Sequence, residues 1–258
     1  MSYSDADVAA FIQQYMLPLF RIAAMFMVMP IIGARTVPAR ARLALALTVT
    51  LLIVPLLPPL PQVPSLSLPS LLFAVQEVLI GITVGFIFQV VFQVFVLSGQ
   101  FMAMKMGLGF ASMNDPTNGV QTTVISQFFL MLVTMMFVSV DGHVVLIHLI
   151  VESFQTMPPG VWIVEPGMFK TIVDLGSWMF SAALVFSLPV LTSLLFVNIA
   201  FGVMSRAAPQ LNIFAVGFPF TLVVGLALIW VGLLNFVPAF DNIISFGFLS
   251  TESLLRIR

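Results

Sequence analysis

Apolar residues fill this chain in long blocks rather than at alternating positions, and blocks of that kind predict helices. They cover residues 8–32, 43–57, 71–104, 124–140, 175–204 and 213–237, with a shorter block at 243–255. No charged side chain occurs between Leu43 and Gln76, Val78 and Met104, Pro116 and Val140, Leu175 and Ser205, or Ala207 and Phe240. A helix needs about 20 mostly apolar residues to cross a bilayer, and each of these runs can supply one. The second block is short and ends against Pro55, Pro58, Pro59, Pro61 and Pro64. The third is too long for one upright span, which predicts tilt, extension beyond the bilayer or a bend. The longest connection, residues 141–174, itself contains an apolar stretch at 144–151. The pattern predicts an all-α integral membrane protein of about six apolar helical segments and a short C-terminal one.

Composition narrows the picture. Hydrophobic residues make up 60% of the chain and charged ones 7%, against about 25% charged in soluble domains, so an aqueous core cannot hide this much apolar surface. The absence of cysteine excludes disulfides, a thiolate nucleophile and Cys-based metal sites. A net charge of −1 offers no basic patch for nucleic acid. The start, Met1 to Asp7, is acidic where a signal peptide is basic, and the first block is expected to be a retained helix. Positive charges mark cytoplasmic loops: Arg35, Arg40 and Arg42 follow the first block, Lys105 the third and Arg206 the fifth. With six spans these loops share one face, and the N-terminus is expected outside. Arg256 and Arg258 then fall on the wrong side unless residues 243–255 return through or along the membrane.

Several features could carry chemistry. Gly81, Gly85, Gln89, Gln93 and Gln100 follow one another at four, four, four and seven residues. That spacing predicts a stripe on one helix face, either a packing seam where small residues admit another helix or a polar pore lining. Arg21 and Glu77 lie within or near apolar blocks and are expected to pair or snorkel. A proton relay would need more carboxylates at similar depth. His143 and His148, five apart beside Asp141 and Glu152, miss the i, i+4 spacing of a helical zinc motif. No nucleophile elbow or phosphate-binding glycine loop is present, so neither a cofactor nor an enzyme activity is expected. In the run from Gly107 to Gly119, Gly107 and Gly109 free the backbone, Asp115-Pro116 favours a turn, and Phe110 and Met113 add apolar bulk. Such a loop is a plain turn or an occluding one. Between the fifth and sixth blocks, Arg206, Pro209, Gln210, Asn212 and Phe214 precede a second break at Gly217-Phe218-Pro219.

Taken in order, these elements resemble the FliR family of flagellar type III export-gate proteins. The likeness runs from Arg21 and Pro30 through Arg35-x-x-Pro38 and Arg40, Gly99-Gln100, Gly107-Leu108-Gly109-Phe110-Ala111 and Asp115-Pro116. It continues with Gly142-His143, Ser153-Phe154, Pro158-x-Gly160, Asn198 and Gly202. Its most specific part is Arg206, Pro209-Gln210-Leu211-Asn212-x-Phe214 and Gly217-Phe218-Pro219. The resemblance implies bent helical hairpins, with a FliP-like part at roughly residues 1–190 and a FliQ-like part at 191–258. It implies one copy of this chain in an inner-membrane complex of the flagellar basal body with FliP and FliQ proteins, alongside FlhB and FlhA. That complex passes unfolded flagellar proteins. Gly107, Gly109, Phe110, Met113, Asp115 and Pro116 would form the plug of the closed channel. Arg206, Pro209, Gln210, Asn212, Phe214, Gly217 and Pro219 would pack subunits near the cytoplasmic entrance. The virulence-injectisome counterpart shares these motifs. A stand-alone small-solute transporter is the alternative of another class, and usually carries internal repeats.

Overall fold

A computed structural model describes residues 5–34, 36–57, 68–108, 123–159, 166–207 and 213–257. These residues form eight α-helices and no strand: α1 (Asp5–Val28), α2 (Ala39–Ile53), α3 (Leu68–Lys105), α4 (Val124–Ser139), α5 (Gly142–Thr156), α6 (Pro166–Ala207), α7 (Ile213–Gly232) and α8 (Phe236–Leu255). Four helical runs among the described residues are long and apolar enough to cross a membrane: Ala39–Leu56, Leu68–Lys105, Lys170–Ala207 and Gly217–Leu255. A fifth follows if α4 and α5, which meet at 65°, count as one broken span. The protein is an all-α, multi-pass membrane protein.

Two departures from the sequence pattern have local causes. The connection after the fourth block begins with a full helix, α5. Its buried residues Leu146, Leu149, Ile150, Ser153 and Phe154 recur at the three- and four-residue spacing of an amphipathic helix. The C-terminal block is not separate either. A 3-10 turn, Leu233–Asn235, joins α7 to α8, and Pro238 falls in the first turn of α8, where its missing N–H breaks no helical bond.

The chain divides into two compact units. One comprises residues 1–90, 137–175 and 246–258, the other residues 91–136 and 176–245. The expected boundary at 190/191 falls inside α6.

In the first unit α1 packs on α2 and against the N-terminal part of α3, while Phe88, Phe137 and Phe248 form an aromatic cluster with ring centroids 5.0–6.4 Å apart. The link from α1 to α2 is tightly turned. Ile32 N donates to Pro30 O at 3.0 Å across Ile31, whose φ of 74° is strained for a β-branched residue. Arg42 then donates to Val37 O at 2.9 and 3.2 Å, so one of the loop's cations closes the loop itself.

In the second unit the rings of Phe95, Phe129, Phe186 and Phe236 stack or meet edge to face within 6.0 Å. Ser98 bridges α3 to α6, its hydroxyl lying 2.6 Å from Val94 O and 3.1 Å from Ala183 O. Ser98→Ala should lower stability by about 1 kcal/mol. A melting point in detergent equal to that of the native chain would show that the bridge contributes nothing. Within α6, Pro189 cannot bond the Val185 carbonyl. Around it the hydroxyls of Ser187, Thr192 and Ser193 bond Leu184 O, Leu188 O and Pro189 O at 2.8–3.0 Å.

Candidate functional site

Some of the residues singled out by the sequence gather at two places, one in each unit. In the first unit, Glu77, Gly81 and Gly85 share one face of α3 at four-residue spacing. A β-carbon at Gly81 would collide with the Arg21 carbonyl and lie 3.0 Å from Ala24 Cβ. One at Gly85 would lie 2.9 Å from Met25 O. The two glycines therefore let the backbones of α1 and α3 nearly touch, and one turn earlier Glu77 meets the Arg21 guanidinium. Nε of Arg21 donates to Glu77 Oε2 at 2.6 Å and Nη2 to Oε1 at 3.0 Å. Nη1 donates to Ser153 Oγ at 2.8 Å and Nη2 also to Met157 O at 2.7 Å, both contributed by α5 and its end. The Phe154 ring covers the guanidinium at 4.1 Å. Both charged side chains are fully buried. An unpaired arginine at mid-membrane costs about 2.5–3.5 kcal/mol on insertion scales; a two-pronged carboxylate partner offsets that.

The second place is the base of the loop that begins at Gly107. Helix α3 ends with Gly107 N donating to Met104 O at 3.1 Å and Leu108 N to Ala103 O at 2.9 Å. Gly107 itself has φ +85°. This is a Schellman cap, which needs a left-handed residue at that position and so selects glycine. The cap is pressed onto α7: a β-carbon at Gly107 would stand 2.6 and 2.7 Å from two carbons of the Phe218 ring. Beside it, the Met106 side chain occupies the space over Gly225. At the returning end, Thr123 Oγ1 accepts from Ser126 N at 3.3 Å as a helix cap. Ser126 Oγ in turn donates to Val96 O of α3 at 2.8 Å, and a β-carbon at Gly99 would lie 2.7 Å from Ser126 Cα. Both ends of the segment 109–122 are thus tied to the same unit, one through α7 and one through α3.

The other predicted residues are placed as follows. Gln89 is exposed, and Gln93 and Gln100 are half-buried. Four-residue steps drift by about 40° each on a 3.6-residue helix, so the glutamines rotate away from the glycine seam. Arg206 is exposed at the end of α6, Phe214 lies in α7, Gly217 is buried and Pro219 is exposed within α7. Gly109, Phe110, Met113, Asp115, Pro116, Pro209, Gln210 and Asn212 lie outside the described residues. His148 and Glu152 approach to 4.0 Å on the exposed side of α5, and among the described residues no group of three His, Cys, Asp or Glu could hold a metal. Phe218 under Gly107, and Ser153, Phe154 and Met157 around Arg21, join the site from distant sequence. Ser153-Phe154 and Gly217-Phe218-Pro219 stood out in the sequence, but nothing local named their partners.

Comparison with known proteins agrees with the sequence motifs. The model of the family described as bacterial export proteins, family 1, matches residues 12–246. The chain is similar to the flagellar biosynthetic protein FliR of Escherichia coli K12, with 39% identity over 83% of this chain and 82% of the relative. The FliR of Pectobacterium carotovorum is 34% identical over 93% of this chain and 91% of its own length. For the FliR of Bacillus subtilis the identity is 30%, over 94% of this chain and 95% of the relative. The motifs, the helical membrane architecture and these matches together make the chain a member of the bacterial export proteins, family 1, the family of the FliR proteins.

Proposed function

We propose that this chain is a structural and gating subunit of the flagellar type III export channel in the bacterial inner membrane. It is a component of a protein-export apparatus, with a structural rather than a catalytic role. On this reading one copy assembles with FliP and FliQ proteins, next to FlhB and FlhA, within the flagellar basal body. The assembly passes unfolded flagellar proteins. Residues 1–190 would take the place of a FliP-like part and 191–258 that of a FliQ-like part. The exposed Arg206 and the Pro209–Pro219 region would face neighbouring subunits, while the half-buried Gln93 and Gln100 are available to them.

The observation that best supports gating is the double anchorage of the 109–122 segment. A plug has to be held at its root and free to yield elsewhere. The Gly107 cap on Phe218 and the Ser126 tie to Val96 supply fixed roots. Phe110 and Met113 would give a seal of weak apolar contacts that a passing chain can displace, where salt bridges would resist. Deleting residues 107–119 is therefore expected to make the assembled channel leak ions in the resting cell. Conductance equal to that of the native channel, in a complex of native composition, would overturn the plug assignment.

A further inference from the structure

The Arg21 site has a consequence for how the protein enters the membrane. Helix α1 is synthesised before α3 and α5, yet it carries a guanidinium in the middle of its apolar stretch Gln14–Val28. Every group that satisfies this charge comes much later. Glu77 follows Arg21 by 56 residues, Ser153 by 132 and Met157 by 136. Four of the five N–H donors of the guanidinium are taken up by these three residues.

The two partners of the ion pair are not equivalent. A carboxyl can lose its charge by taking up a proton, whereas a guanidinium cannot lose its own inside a protein. The charge that cannot be shed therefore resides on α1, and the group that answers it resides on α3. The Gly81 and Gly85 contacts against the α1 backbone then fix the depth at which the two meet. We propose that α1 is a conditional span: it resides stably in the membrane only as a pair with α3, through neutralisation of Arg21 by Glu77, and α5 closes the site afterwards.

Because the native chain has no cysteine, a single Ser4→Cys substitution in the full-length protein reports the side on which the N-terminus lies. Intact cells are labelled with a membrane-impermeant maleimide before and after permeabilisation. In the otherwise native chain, labelling is confined to one side. With Glu77→Gln, the ratio of labelling on that side to labelling on the other is expected to fall by about 100-fold or more, the change that leaving a buried charge without its partner brings. With Arg21→Met it should stay within about twofold of native, since the remaining carboxyl can neutralise itself. The double variant Arg21→Met/Glu77→Met should also remain within about twofold, because apolar residues of similar size replace buried pairs well. Unchanged labelling in Glu77→Gln would overturn the proposal. So would a double variant as defective as Glu77→Gln, since the charges would then serve something other than each other.

Discussion

Gly107→Ala should destabilise the protein by roughly 2–5 kcal/mol, an unusual penalty for adding one methyl group. Two independent terms add. At φ +85° a β-carbon suffers the left-handed penalty of about 1–2 kcal/mol. The same carbon would sit 2.6 Å from the Phe218 ring, and overpacking of that kind costs about 1–3 kcal/mol. The terms separate in a double-mutant cycle. Phe218→Ala should relieve the steric part of Gly107→Ala and leave the backbone part, so that the combined loss is smaller than the sum of the two single losses. Thermal unfolding of the purified membrane protein reads both. Strict additivity would mean that Phe218 does not bear on Gly107.

Gly81→Leu should have the largest effect of any substitution described, and folded protein should be nearly absent. The added side chain has to displace the Arg21 carbonyl, which is backbone and cannot rotate aside. Helix α1 must then move away from α3, and the 2.6 Å pair between Arg21 and Glu77 separates. Breaking a buried pair costs about 3–5 kcal/mol, and the overpacking itself adds about 1–3 kcal/mol. The sum is comparable with the whole stability of a typical domain, about 5–15 kcal/mol. Size-exclusion profiles of the fluorescently tagged protein in detergent measure the outcome. A sharp native peak at native yield would show that α1 and α3 do not pack through this glycine.

The sequence pattern was informative where structure is local. Long uncharged runs forecast α2, α3, α6 and α7 because a helix through an apolar medium has to be apolar over its whole length. At Gly81 and Gly85 the backbones of α1 and α3 approach closely, which only a bare backbone permits. No local period links Arg21 to Glu77, 56 residues away, although each was expected to pair or snorkel. Likewise, Phe218 is part of a visible motif, yet its place beneath Gly107 follows from how α7 packs on the end of α3. Gln89 does not continue the glycine seam against α1, for a geometric reason. A four-residue repeat is not the helical period, and Gln89 has turned outward to an exposed position. The C-terminal block, residues 243–255, read as a separate short segment, whereas residues 236–255 form one helix in which Pro238, in the first turn, breaks no helical bond. Helix α5 read as part of a connection because His143, His148 and Glu152 interrupt its apolar face, while its buried side still follows helical spacing.

On the proposed reading, this chain functions as one part of a larger export assembly. Co-expression with FliP and FliQ proteins, followed by native mass spectrometry of the detergent-extracted material, tests it most directly. A large, stable hetero-oligomer containing one copy of this chain is expected. A monomer or homodimer, with both partner proteins well expressed, would contradict it and favour a transporter that works alone.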